Sequence, residues 1–371
     1  MAEPLKSFFS PALVRRLAGD VARVHPGFAK QAFTRRATRG LEGLELLDRG
    51  RHICRALAEH LPAGYPEAIS ILLCSLGPEH ETDEVTGAGM APFYYLPHVI
   101  FVAERGLDDF DLSMRAQYEL TKRFSAELSI RAYLERHPEL TMAVLHEWTA
   151  DGNAHVRRLT SEGTRLRLPW ARRVHWLEEH PERVLDLLEA LKDDPSTYVR
   201  RSVANNLNDL GKVRPELLIR TCETWLRDAS EERRALVEHA LRSAVKRAEP
   251  QVLRLLGFGD AAAVALERVT IEPKRVAIGG RVAIGFSLRS SSSGTQDVLV
   301  DLVVHFVKAN GRASAKVFKL GRVSLGPKGR ADFRKTVSLA VHTTRKPNPG
   351  KHLVEAQVNG RTRPVGSFEV V

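Results

Sequence analysis

From the N-terminus to about residue 260, apolar residues recur at intervals of three and four, as in Leu120, Phe124 and Leu128 or Val184, Leu187, Leu188 and Leu191. That spacing predicts amphipathic helices. Pro and Gly fall between these runs, at Leu61-Pro62-Ala63-Gly64 and His137-Pro138, which predicts short helices joined by breaks. From about Leu266 the period changes to two. The stretches 269–271, 281–288, 298–306, 315–320, 331–339 and 352–358 alternate as strands do. Turn residues separate them: Gly279-Gly280, Ser290 to Gly294, Asn310-Gly311, Pro327-Lys328-Gly329, Asn348-Pro349-Gly350 and Asn359-Gly360. The chain is therefore expected to hold two domains, an all-α domain over 1–258 and an all-β domain over 265–371. The segment Gly257 to Ala263 is the expected hinge. About seven short strands in roughly 105 residues fit an immunoglobulin-like sandwich.

The helical part repeats itself. Trp148-Thr149-Ala150-Asp151 is followed by Val156-Arg157-Arg158-Leu159, and Leu191-Lys192-Asp193-Asp194 by Val199-Arg200-Arg201-Ser202. Trp225-Leu226-Arg227-Asp228 is followed by Arg233-Arg234-Ala235-Leu236. The aspartates stand 43 and then 34 residues apart, within the range of HEAT-type helical hairpins. One helix ends near each Asp, a polar turn follows, and a second helix opens with an apolar stripe. A single hairpin cannot bury that stripe alone, so neighbours stack into a solenoid.

Charge sharpens the division. The formal net charge is +11, yet Val264–Val371 carries 19 Lys and Arg against 7 Asp and Glu, while the preceding residues carry 37 against 38. The whole excess sits in the β domain, as expected of a surface that neutralises phosphates. No apolar run approaches the roughly 18 residues needed to span a bilayer. The N-terminus has no secretory pattern, so a cytoplasmic protein without membrane contact is expected. Cys54, Cys74 and Cys222 are odd in number and widely spaced, which argues against disulfides, zinc and iron–sulfur clusters. The fourteen histidines form no ligand spacing. Gly87-Ala88-Gly89 lacks the P-loop lysine, and no nucleophile elbow appears.

What remains is a set of carboxylates and one tryptophan among arginines. Helical stepping puts Leu120, Phe124, Glu127 and Arg131 on one face, so Glu127 either points where apolar side chains point or pairs with Arg131 four residues on. Glu162 is expected on the helix of Arg157, Arg158 and Leu159, in a functional, capping or surface role. Trp170 follows Leu168-Pro169, a restricted entry, and either packs in the core or presents its ring. Asp209 lies where polar side chains interrupt an apolar stripe, costly unless they are paired or used. Arg123, Arg157, Arg158, Arg165, Arg172, Arg173, Arg200 and Arg201 crowd the same stretch. Arginine for phosphates, tryptophan for stacking and enclosed carboxylates are what chemistry on a DNA strand needs. In the β domain, turn-borne Arg312, Lys328, Arg330, Arg345, Lys346, Arg361 and Arg363 are candidate DNA contacts.

Four strings carry a resemblance: Met90 to His98, Leu120 to Arg131, Asn153 to Trp170, and Val199 to Asp209. Over residues 5 to 260 the chain resembles the AlkC branch of the HEAT-like-repeat DNA alkylation-repair glycosylases, one subset of which adds an immunoglobulin-like domain. The resemblance implies excision of cationic N-alkylated bases, notably 3-methyladenine and 3-methylcytosine, without turning the nucleotide fully out of the duplex. It implies a site lined by Glu127, Glu162, Trp170 and Asp209. The expected protein is thus a monomeric, monofunctional glycosylase on duplex DNA, with no metal or organic cofactor. The rival readings are a non-enzymatic helical scaffold binding nucleic acid or an acidic protein, and an RNA-binding solenoid.

Overall fold

The structure, a computed structural model, describes residues 4–80, 82–83, 91–258, 261–341 and 346–371. Gly87 to Met90, part of the expected hinge (Gly259 and Asp260) and Arg345 lie outside the described residues. By compactness the chain divides into Met1–Leu218 with Thr224–Ala240, and Ile219–Glu223 with Leu241–Val371.

The helical unit opens with α1 (Pro11–Val24), α2 (Lys30–Thr38), α3 (Leu46–His60), α4 (Tyr65–Cys74), α5 (Leu96–Arg105) and α6 (Phe110–Thr121). It continues with α7 (Ile130–Arg136), α8 (Pro138–Trp148), α9 (Ala154–Gly163), α10 (His175–Glu179), α11 (Pro181–Leu191) and α12 (Thr197–Leu210). Next come α13 (Pro215–Leu226) and α14 (Glu231–Lys246), and the division between the units falls within both. The three repeats read from sequence are the hairpins α8/α9, α11/α12 and α13/α14. Their aspartates set the turns: Asp151 accepts the Asn153 N–H at 2.7 Å, and Asp194 accepts the Ser196 N–H at 2.8 Å. Asn153 then caps α9 through the His155 N–H. Neighbouring hairpins are stitched by arginine, with Arg157 reaching the Asp194 carboxylate at 2.6 and 3.0 Å. The apolar stripes meet in a continuous core that includes Leu145, Val156, Leu159, Leu188, Val199, Val203 and Leu207, all buried.

The second unit begins with α15 (Pro250–Leu255), preceded by the end of α14. Eight strands follow among the described residues: β1 (Val264–Glu272), β2 (Arg275–Val276), β3 (Arg281–Ser290), β4 (Gln296–Val307), β5 (Ala313–Leu325), β6 (Arg330–Ser338), β7 (Gly350–Val358) and β8 (Arg361–Val370). They form sheets of order β1-β3-β6 and β2-β8-β7-β4-β5. Alternate residues fill the space between the sheets: Val282, Ile284, Phe286 and Leu288 from β3, and Val298, Val300, Leu302, Val304 and Phe306 from β4. The apolar run Val298-Leu299-Val300 of β4 has a reason. Leu299 faces away from that core and is covered by Leu253 and Phe258. Among the described residues no helix is long and apolar enough to cross a membrane.

Candidate active site

Two helices bring the buried acids together. α9 and α12 meet through small polar groups: the Ser202 hydroxyl lies 3.1 Å from Ser161 Oγ, and the Asn206 amide donates to the Ser161 carbonyl at 2.8 Å and to Thr164 Oγ1 at 3.0 Å. Along this seam Glu162 and Asp209 are 5% and 1% exposed. Such burial is costly for a carboxylate unless it is paired, and one guanidinium pairs both. Arg165 Nη1 donates to Glu162 Oε1 at 2.6 Å, while Nε and Nη2 lie 2.8 Å from Asp209 Oδ2. Ser202 donates to the other Glu162 oxygen at 2.6 Å, and Lys212 to the other Asp209 oxygen at 2.8 Å. Arg158 extends the chain, 3.5 Å from Glu162 and 3.1 Å from Glu127, with its guanidinium over the Tyr198 ring at 4.8 Å. Acids and bases therefore alternate: Glu127, Arg158, Glu162, Arg165, Asp209, Lys212.

The alternation fixes protonation. Burial by itself would raise the Glu162 carboxyl, but Arg158 and Arg165 outweigh it and hold Glu162 below the ordinary carboxylate range. Burial likewise opposes the charge on both arginines, and the carboxylates more than offset it, raising each above its usual value. Glu162 is thus ionised at neutral pH in a water-poor setting, where a fixed charge acts strongly.

Glu127 departs from the sequence reading. It is not on a helical face with Leu120 and Phe124, because α6 stops at Thr121 and α7 begins at Ile130. In the intervening turn the Thr121 hydroxyl accepts the Ala126 N–H at 3.2 Å, and Ser125 Oγ accepts the Glu127 N–H at 3.4 Å. Side-chain oxygens have taken the place of the helical ladder. The alternative pairing with Arg131 is also absent. Glu127 accepts from Ser125 at 3.0 Å and Arg158 at 3.1 Å, and its side chain is 26% exposed against 7% for Glu162 and 2% for Asp209. It is the most accessible of the three carboxylates.

Trp170 is on the surface and not in the core, 61% exposed. Its backbone is left-handed, with φ +63°, in a segment anchored by buried Leu166 and Leu168. Phe93 meets it edge-on at 6.5 Å and meets Phe124 at 5.2 Å. Beside the indole lies a cavity of about 390 Å³ lined in part by Arg131, Glu135, Arg172 and Val99.

The arginines read as DNA contacts fall into two groups. Arg123 is engaged by Glu119 and the Gly77 carbonyl, Arg157 by Asp194, and Arg200 by the Asp194 and Pro195 carbonyls. Arg158 and Arg165 belong to the carboxylate chain. Arg172, Arg173 and Arg201 are exposed, with Arg172 only 3.9 Å from one partner, Glu135. In the β unit Arg312, Lys328, Arg330, Lys346 and Arg361 are exposed and Arg363 is half-buried. Sequence reasoning missed Tyr198, Ser202 and Lys212. Ser202, seven residues before Asp209 and on the same helical face as Asn206, carried a periodic signal that identifies it. Among the described residues no group of three or more His, Cys, Asp or Glu is placed to hold a metal ion.

Residues 124–223 match the family described as DNA alkylation repair enzyme, and residues 265–371 match the C-terminal Ig-like domain of the uncharacterised protein YhaZ. YhaZ of Bacillus subtilis (strain 168) is 33% identical over 373 residues, covering 99% of each chain. Among solved structures, Pseudomonas fluorescens alkylpurine DNA glycosylase AlkC, bound to DNA containing an abasic-site analogue, is similar with a TM-score of 0.92. It is 34% identical and covers 100% of both chains.

Proposed function

This chain belongs to the AlkC-type alkylation-repair family with a YhaZ-type Ig-like C-terminal domain, and from that premise we propose that it is a monofunctional DNA glycosylase. Its substrates are cationic N-alkylated bases in duplex DNA, 3-methyladenine and 3-methylcytosine foremost, removed without turning the nucleotide fully out of the helix. The observation that carries the reading is the carboxylate chain: Glu127 at its accessible end, with Glu162 and Asp209 held by arginines. The relative AlkC is described on DNA with an abasic-site analogue, and an abasic site is what base excision leaves.

The chemistry suits these groups. An alkylated base already carries positive charge, so when the C1′–N bond breaks its electron pair neutralises the departing base and no acid is needed. Positive charge then builds on the deoxyribose. A fixed carboxylate stabilises it, and Glu127 is the one that solvent-side atoms reach. Water adds its oxygen to C1′, and the released proton passes to a carboxylate and on to solvent. Trp170 offers an aromatic face to a cationic base or to the sugar. The exposed basic residues of the β unit supply phosphate neutralisation. Nothing in this scheme needs a lysine nucleophile, so the strand stays intact. The test is incubation with methylated duplex DNA and identification of any released base by mass spectrometry. Release of 3-methyladenine from an uncut strand supports the reading; binding of DNA with no base released rejects it in favour of a scaffold.

A further inference from the structure

We propose that Arg131 is the positioning residue for Trp170, a single guanidinium that ties both ends of the 163–172 segment and sets the indole for excision. The inference rests on the glycosylase reading. Arg131 Nη1 donates to the Gly163 carbonyl at 2.8 Å and to the Arg165 carbonyl at 2.9 Å, and Nε donates to the Arg172 carbonyl at 2.8 Å. The first two carbonyls open the segment, and the third closes it two residues after Trp170. The approach is made possible at Gly163, where a Cβ would lie 2.6 Å from Ile130 Cγ2, so the end of α9 abuts the start of α7.

Three observations give this clamp a purpose beyond packing. Arg131 is 4% exposed, and none of its hydrogen bonds goes to a carboxylate. Burial pulls its guanidinium down to about 10. A buried cation whose hydrogen bonds all go to carbonyls is an expensive way to join a loop, and an apolar side chain would fill the space more cheaply. Second, Trp170 sits in the left-handed region, which a bulky residue keeps only when its surroundings fix it. Its ring is mostly in solvent, so packing of the ring cannot supply that fixation. The flanking backbone must, through buried Leu166 and Leu168 on one side and the Arg172 carbonyl on the other. Third, the same segment carries Arg165, which bridges Glu162 and Asp209. One clamp therefore registers the indole against the carboxylate chain. The planar fork suits three carbonyls; an ammonium on a flexible stem does not.

The test compares wild type, Arg131→Lys, Trp170→Ala and the double variant by single-turnover excision on methylated duplex DNA, with DNA affinity and thermal melting alongside. Arg131→Lys is expected to lose about 10- to 100-fold in rate with DNA affinity near wild type. The double variant is expected to be no slower than the slower single variant, since coupled residues are non-additive. A second readout needs no activity: acrylamide quenching of Trp170 fluorescence in DNA-free protein, taken as the difference from Trp170→Phe, is expected to change in Arg131→Lys. Wild-type excision by Arg131→Lys, rate losses that multiply, or unchanged quenching overturns the proposal. If wild type releases no base while quenching does change, the glycosylase reading falls and the clamp stands. If Arg131→Lys does not fold, Arg131→Gln replaces it; failure of both to fold makes Arg131 a general structural residue, and the proposal falls.

Discussion

The helical unit and the β unit use charge in opposite ways. In the helical unit the carboxylates of Glu162 and Asp209 are enclosed and interleaved with Arg158 and Arg165. In the β unit Arg312, Lys328, Lys346 and Arg361 stand in solvent with one sign in excess. Chemistry at a developing cation needs a fixed charge where water cannot screen it. Affinity for a polyanion needs only that positive charge be reachable. The first arrangement makes each charge depend on its neighbours; the second makes charges nearly independent. The largest expected effect follows from that dependence. Glu162→Ala takes one of two carboxylate partners from each of Arg158 and Arg165 and is expected to cost about 3 kcal/mol of stability, read by denaturant unfolding. Arg361→Ala, on the exposed side of the comparison, is expected to stay within about 0.5 kcal/mol. Equal stability of Glu162→Ala and wild type would show that the carboxylate chain does not hold the fold.

Next in size is a rate effect without a stability effect. Glu127 lies at the accessible end of the chain and in a turn, so the fold does not rest on it. Glu127→Gln is expected to keep DNA affinity within a few-fold and to lower single-turnover excision by at least about 100-fold, as for loss of one electrostatic stabiliser. Undiminished excision would remove Glu127 from the chemistry and leave Asp209 and Glu162 as the groups to test.

Two buried groups, one in each unit, are also expected to answer pH in opposite senses. In the helical unit, burial lowers the His98 imidazole from its ordinary 6.5 to about 4. The unfolded chain then binds the proton first, so stability is lost as pH falls from about 6.5 towards 4. In the β unit, burial raises the Asp301 carboxyl from 3.8 to about 6. There the folded state binds the proton first, so its contribution is present below about pH 4 and lost as pH rises through about 6. Each effect is about 3 kcal/mol. All four tryptophans lie in the helical unit, so tryptophan fluorescence follows that unit alone and far-UV circular dichroism follows both. Acid is expected to lower the fluorescence midpoint, less so in His98→Gln. Asp301→Asn is expected to flatten the loss of β-unit stability between pH 4 and 6. A pH profile unchanged by either substitution would contradict the assignment for that group.

Periodicity made most of the fold legible, and its failures have local causes. The strand β8 escaped because Pro364 and Gly366 flank a shift of register opposite Val354 and Glu355, where alternation is broken and proline is tolerated. The identities of Glu162 and Asp209 as polar residues on helical stripes were readable. Their partners were not: Arg158 reaches Glu127 across 31 residues and Arg165 reaches Asp209 across 44. Such pairings belong to the stacking of one hairpin on the next, and no local pattern encodes them. The helical reading of Glu127 failed because hydroxyls of Thr121 and Ser125 compete for the backbone, an effect that hydrophobic spacing does not register.

The smallest expected effect per residue tests the exposed side of the comparison. Each phosphate that a β-unit cation neutralises contributes about 0.9 to the log–log salt slope of binding to B-form DNA. Removing the whole unit is a poor experiment, because a chain ended at Phe258 would leave Phe258 and Leu253 without the cover of Leu299. Point substitutions avoid this. Lys328 lies in the turn between β5 and β6, and Arg361 opens β8 beside the Asn359-Gly360 turn, both in solvent. Lys328→Ser with Arg361→Ser is expected to reduce the slope by up to about 1.8 if both touch phosphate. Affinity should weaken similarly for methylated and unmethylated duplexes, because phosphate contacts carry no base information. Excision from a saturated complex should keep its rate, since the assigned roles give neither residue a part in the chemistry. The measurement is DNA affinity across a salt series, with single-turnover rates at saturating protein. An unchanged slope would mean that the excess charge of this unit serves another partner. A slowed rate at saturation would mean that binding and chemistry are not divided between the two units as their charge patterns indicate.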